Sequence, residues 1–120
     1  MLVLVVEPEC KPEIREIDGS LESMQAIVGG LIQALYPFDD MVALVANDEG
    51  KLLGLPMNRG LRDEAGNLYD ILCGTFFICG IEGDGFASLT DEQIQKFMTV
   101  FAVPELFINS NSHLMILPIE

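Results

Sequence analysis

Three of the six basic residues in this 120-residue chain, Lys51, Arg59 and Arg62, fall within twelve positions, around the segment Gly54-Leu55-Pro56-Met57-Asn58-Arg59. The formal net charge is −13. In a field that negative, an Arg pair beside a rigid Pro-Asn turn could hold an acidic side chain or a small anion, because a guanidinium presents its donors as a planar fork. Asn58, Arg59, Arg62 and Thr75 are therefore the candidate ligand-binding residues, for a small-anion binder or an enzyme. A structural reading competes and is favoured. Asn58 would cap its own turn, and both arginines would pair with Asp63, Glu64 or Asp70.

Other chemistry finds less support. Cys73 and Cys79 are six apart on one predicted strand, so they share a face but stand roughly 20 Å apart at about 3.3 Å per residue. A tetrahedral metal with bonds of about 2.3 Å cannot join them unless the strand bends sharply. His113 is the single histidine, in the polar stretch Asn109-Ser110-Asn111-Ser112, which leaves core thiols, an exposed imidazole and no metal site. A Ser–His–Asp triad would have to use His113, and no Gly-x-Ser-x-Gly elbow exists. A Cys–His pair with Cys10 or Cys73 has no supporting spacing. The stretch Gly80-Ile81-Glu82-Gly83-Asp84-Gly85 resembles a phosphate loop only in its glycines, since Glu82 and Asp84 would repel the ligand. It reads as a flexible loop before the second helix. Adjacent carboxylates are common among 19 acids and say little about acid–base catalysis. No catalytic residue and no cofactor is assigned.

Half of the residues are hydrophobic. A chain of this size forms one domain with an adequate core, and the surplus apolar content points to a covered surface, hence a homo-oligomer. Acids and bases number 10 and 4 in residues 1–60 and 9 and 2 in residues 61–120, so no acidic tail or basic arm exists. Uniform negative charge argues against direct nucleic-acid binding and against anionic membranes. Three cysteines without framework spacing suit a reducing cytosol. The apolar run Leu2–Val6 is too short for a signal peptide or a membrane span. A soluble cytoplasmic protein is expected.

The elements that must position these residues follow from spacing. Leu2–Val6 reads as a strand buried on both faces, with Ile14–Ile17 folding back on it after the Pro8 and Pro12 turns. Ser20 caps a helix, with Leu21, Met24, Ile27, Val28 and Leu31 recurring on one apolar stripe, and Gly29-Gly30 stops it. Leu31–Tyr36 is a candidate strand. Met41–Ala46, the turn Asn47-Asp48-Glu49-Gly50 and Lys51–Leu55 read as a hairpin, with Pro56–Leu61 irregular after it. Leu68–Ile81 is β-rich. Thr90-Asp91-Glu92-Gln93 spells a capping box before Ile94, Phe97, Met98 and Phe101, a helix that Pro104 ends. Leu114–Leu117 is a candidate edge strand.

This order predicts an α+β fold with a mostly antiparallel sheet, two helices and a β-grasp-like order in its N-terminal part. Residues 1–107 make the single domain, and 108–120 its C-terminal tail or edge strand.

Several segments carry a resemblance: Glu16–Glu22, Ile27–Gly30, Tyr36–Asp40, Asn47–Arg59, Gly74–Ile78 and Phe86–Ile94. Through them the chain resembles the domain-of-unknown-function family 3846 of bacterial genomes, plasmids and phages, from residue 1 to about 107. The resemblance implies a setting and no activity. The preferred function is a non-enzymatic acidic domain that binds a protein partner. A nucleic-acid mimic inhibiting a DNA-binding enzyme is the main alternative, although the second helix has acids only in its first turn. The small-anion binder is the other.

Overall fold

The chain, seen in a computed structural model that describes residues 1–119, is built on one antiparallel sheet. Its elements are β1 (Leu2–Val6), β2 (Glu13–Glu16), α1 (Leu21–Val28), β3 (Ile32–Leu35) and β4 (Val42–Asn47). There follow β5 (Met57–Arg62), β6 (Leu68–Cys73), β7 (Phe76–Glu82), β8 (Gly85–Ala87), α2 (Asp91–Val100), β9 (Glu105–Ser110) and β10 (His113–Pro118). The main sheet has the order β2-β1-β7-β4-β3 with β8 added to β7, and every pairing is antiparallel. Two further ribbons, β5–β6 and β9–β10, stand apart from it. The class is α+β with two helices among the described residues. The order β1, β2, α1 and then strands is present, and nothing beyond that order supports a β-grasp.

Continuous apolar runs in β1, β4 and β7 are explained by burial on both faces. Leu4, Val6, Leu44 and Ile78 point to one side, where Ile94 and Phe97 of α2, Phe101 just after it, and Leu61 and Leu72 of the β5–β6 ribbon cover them. Val3, Val5, Val45 and Phe77 point to the other, under Met24 and Val28 of α1. Alternation along a strand therefore divides one core into two layers.

Both helices begin as their sequences dictate. The Ser20 hydroxyl accepts from the Ser23 amide at 3.1 Å, and Gly29 closes α1 in the left-handed conformation with φ 77°. Thr90 and Gln93 form a reciprocal capping box. Neither helix has a basic residue in its last turn, so their carbonyl ends depend on other elements.

Several local expectations are corrected. Lys51–Leu55 forms no strand: the chain turns repeatedly there, with Leu53 N–H donating to Glu49 O and Leu55 N–H to Gly50 O. Gly50 lies so close to the Cys73 carbonyl (a Cβ would sit 2.6 Å from it) that the chain bends where a hairpin partner should begin. Met57–Arg62, expected to be irregular, is β5, paired with β6 through two register shifts that blur its alternation. Cys73 and Cys79 fall on different strands, separated by the turn at Gly74. Gly80–Gly85 is the β7–β8 hairpin, with Gly83 at φ 61° in its two-residue turn. Helix α2 stops at Val100 with Phe101 as its cap, before Pro104 acts. The C-terminal segment forms its own hairpin from Glu105 onward, and His113 opens β10 opposite Ser110.

Candidate functional site

Asn58 and Arg59 are completely buried, and with Asn47 they are the buried polar side chains among the described residues. Each one satisfies backbone at the end of an element. Asn47 Nδ2 donates to the carbonyl of Val28 at 3.1 Å, which serves the open end of α1. Asn58 Nδ2 donates to Val6 O at 2.8 Å and Gly74 O at 2.9 Å, tying β5 to the end of β1 and to the β6–β7 turn. Its Oδ1 accepts from Arg59 Nη1 at 2.9 Å. Arg59 Nη2 donates to Cys10 O in the β1–β2 loop and to Phe101 O at 3.1 Å. Only Nε of this guanidinium has no partner among the described residues. Burial lowers the Arg59 pKa from its ordinary value, and the Glu105 carboxylate opposes that shift. A guanidinium stays protonated through either effect.

Arg62 points the other way. Its Nη2 meets Glu105 Oε2 at 2.8 Å and its Nη1 meets Oε1 at 3.3 Å, a two-point pair that raises the Arg62 pKa. Glu105 Oε1 also accepts the Gly60 amide at 3.0 Å, so one carboxylate fastens β9 to β5. Lys51 pairs with Asp70. The arginines thus satisfy neither sequence expectation in detail: Arg59 bonds carbonyls and its neighbour's amide oxygen, and Arg62 takes Glu105 rather than Asp63, Glu64 or Asp70.

A cleft of about 480 Å³ lies over these residues, lined by Arg59, Arg62, Tyr69, Phe101 and Glu105 among others. Asn58 and Thr75 do not line it. Thr75 is half-buried in the β6–β7 turn, and its hydroxyl makes no hydrogen bond among the described residues. Arg59, Arg62 and Asn58 are brought together, and Thr75 is not joined to them. The terminal guanidinium nitrogens of both arginines are engaged by protein oxygens, and Arg59 Nε is left unpaired among the described residues. The arrangement can clamp three elements to one another, and no group of three or more His, Cys, Asp or Glu that could hold a metal ion occurs among the described residues.

A second feature was not singled out by sequence. In the C-terminal hairpin, Leu106 faces Leu117 and Ile108 faces Met115 across the strands. Alternation puts all four on one face, where they are 39, 40, 37 and 49 % exposed. Phe107 and Ile116, also directly opposed, occupy the other face and are partly buried. Asn111 and Ser112 close the hairpin at φ 48° and 68°, the two positive values of a type I′ turn. Its root is closed by the Ile119 amide on Pro104 O at 2.8 Å and by the Glu105 bonds to β5. From Leu106 to Ile119 there is no acid and no Lys or Arg. Lack of charge alone did not mark it, since Ser23–Phe38 is a longer run without Asp, Glu, Lys or Arg.

Fold and site together define an acidic α+β domain, pinned internally by a buried Asn-Arg pair and carrying an apolar β-hairpin at its C-terminal end. The family model described as Domain of unknown function (DUF3846) matches residues 1–102, and the chain belongs to that family. No curated protein and no solved structure matches the chain. The family match stops just before the hairpin begins. Among the described residues, no helix is long and apolar enough to cross a membrane.

Proposed function

We propose that this chain is a non-enzymatic protein-interaction domain that presents the β9–β10 hairpin to a protein partner. The observation that carries the reading is the face formed by Leu106, Ile108, Met115 and Leu117: four apolar side chains exposed side by side on one regular element of an acidic protein. Scattered exposed hydrophobic residues need no explanation, whereas a contiguous set on one regular element marks a contact surface. A two-stranded hairpin is marginal by itself in water, and covering one face supplies the burial it lacks. The anion-binding alternative around Asn58, Arg59, Arg62 and Thr75 is weakened by the internal partners of both arginines. The mimicry alternative has no ordered row of carboxylates to support it on α2, whose acids are Asp91 and Glu92 alone. The family resemblance and the three free cysteines favour a cytoplasmic protein of bacterial or mobile-element origin.

A photo-crosslinking residue placed at Met115, with one at Glu82 as control, tests the reading in cells. Discrete protein adducts from position 115 and none from position 82 are the expected result. The absence of adducts from position 115 at every expression level would contradict it.

A further inference from the structure

We infer that the open edge of β3 pairs antiparallel with β3 of a second copy of this chain, joining two main sheets into one about a twofold axis. This edge is separate from the β9–β10 face. Strand β3 ends the main sheet, with β4 on one side and no strand on the other. The Asp48 amide donates to Leu31 O at 2.8 Å, which fixes the phase of the β3–β4 ladder. Leu31, Gln33 and Leu35 therefore turn their backbone groups toward β4, and Ile32 and Ala34 turn theirs outward. Among the described residues, no backbone group outside that ladder bonds to Ile32 or Ala34. Unpaired amides and carbonyls at this spacing select an extended polypeptide as their occupant.

The other edges are guarded. At the far end of the sheet, β2 carries Glu13, Arg15 and Glu16 within four residues. Strands β6 and β9 carry Asp70 and Glu105, and β8 has only three residues. In β10, the Ile119 amide on Pro104 O sets the phase, so Pro118, which has no N–H, turns outward. Strand β3 has neither charge nor proline, and it lies in Ser23–Phe38, the longest stretch of the chain without Asp, Glu, Lys or Arg. Two bodies of net charge −13 can meet there without opposing carboxylates.

The strand is complementary to itself, and this selects a second copy. Pairing that uses the outward groups of both Ile32 and Ala34 places Ile32 opposite Ala34 and Ala34 opposite Ile32, a large side chain against a small one. On the other face Gln33 meets Gln33, whose amides both donate and accept, and Leu31 meets Leu35. Leu31 is 61 % exposed in the single chain and gains an apolar neighbour. Helix α1 covers Val45 and Phe77, on β4 and β7, and so stands back from the edge. At about 4.8 Å per strand the two β4 strands would lie ~14 Å apart, wider than packed helices require.

The test is sedimentation equilibrium of the full chain over a wide concentration range, with Gln33→Lys and Gln33→Glu alone and as an equimolar mixture. The wild-type mass should rise from one chain to two with concentration. Each variant alone opposes like charges across the axis and should raise the dissociation constant about 10-fold, and the mixture, with opposite charges facing, should recover most of that loss. Gln33 is exposed, so an unchanged thermal midpoint in dilute solution shows that both variants fold. Met115→Lys, on the hairpin face, should leave the constant unchanged. A wild type that stays monomeric at every concentration overturns the inference, as does a dimer indifferent to both Gln33 variants or a mixture no tighter than either variant alone. A dimer that Met115→Lys weakens and the Gln33 variants do not also overturns it. Crosslinking at position 115 reports on the other face, so the interaction reading stands or falls separately.

Discussion

Arg59 of β5 caps the carbonyl end of α2: its Nη2 lies 3.1 Å from the oxygen of Phe101, the residue that closes the helix. The helix has no basic residue of its own in its last turn, so the cation that complements its dipole comes from a distant strand. The same guanidinium holds the Cys10 carbonyl, and Asn58 holds Val6 and Gly74. Asn58 and Arg59 together fasten β1, its following loop, the β5–β6 ribbon and α2 to one another.

Loss of either fastener should therefore act on stability. Asn58→Ala leaves two carbonyls and an Arg59 donor unpaired in the interior and should lower the unfolding free energy by about 2–4 kcal/mol. Arg59→Lys should cost about 2 kcal/mol, since an ammonium cannot span Asn58, Cys10 and Phe101 at once. Urea denaturation of both variants checks this. Neither loss should be restored by adding inorganic phosphate or acetate.

Acid should destabilise the fold through two identifiable carboxyls. The Ser20 hydroxyl and amide hold Asp18 below its ordinary 3.8. Burial works against ionisation of Asp70, but the Lys51 ammonium and the Ile71 amide outweigh it and hold that carboxyl below 3.8 as well. A carboxyl depressed in the folded state stabilises it at pH above the unfolded value, and the contribution disappears as pH falls through the folded value. Unfolding free energy should thus decline once pH drops below about 5. Asp70→Asn should flatten that decline while changing stability at neutral pH by about 0.5 kcal/mol, as for an exposed pair. Thermal unfolding between pH 3 and 7 reads both.

The three thiols should react in order of exposure. Cys10 is exposed and Cys73 half-buried with its thiol pushed up by burial, while burial pushes Cys79 up to about 12. Because the thiolate is the nucleophile, Cys79 should resist alkylation in the native protein at pH 8 and react only when β7 unfolds. Timed labelling with iodoacetamide, read by mass spectrometry, gives the sequence directly: Cys10, then Cys73, then Cys79 on addition of urea.

Much of the frame is legible in sequence because its signals are local. Leu2–Val6 announces a strand covered on both faces, Ser20 and Gly29 bracket α1, and Thr90 with Gln93 starts α2. The middle of the chain is less legible, because what shapes it is tertiary. Close approach to the Cys73 carbonyl bends the chain at Gly50, and register shifts disguise β5. The basic cluster at Arg59 and Arg62 was visible as charge, but its partners Cys10, Phe101 and Glu105 are more than 40 positions away in the chain. Asn111-Ser112 is a weak hairpin signal, since glycine is the usual second residue of such a turn.

Hydrogen exchange across Leu106–Leu117, followed in the protein alone and with the protein captured at position 115 added, tests most directly whether the hairpin face is covered by a partner. A lone two-stranded ribbon opens readily, so its amides should exchange fast in the protein alone. The account predicts that they slow strongly when the partner is added, while the amides of β1, β4 and β7 stay equally slow throughout. Hairpin amides that keep one fast rate with every protein captured at position 115 would contradict it.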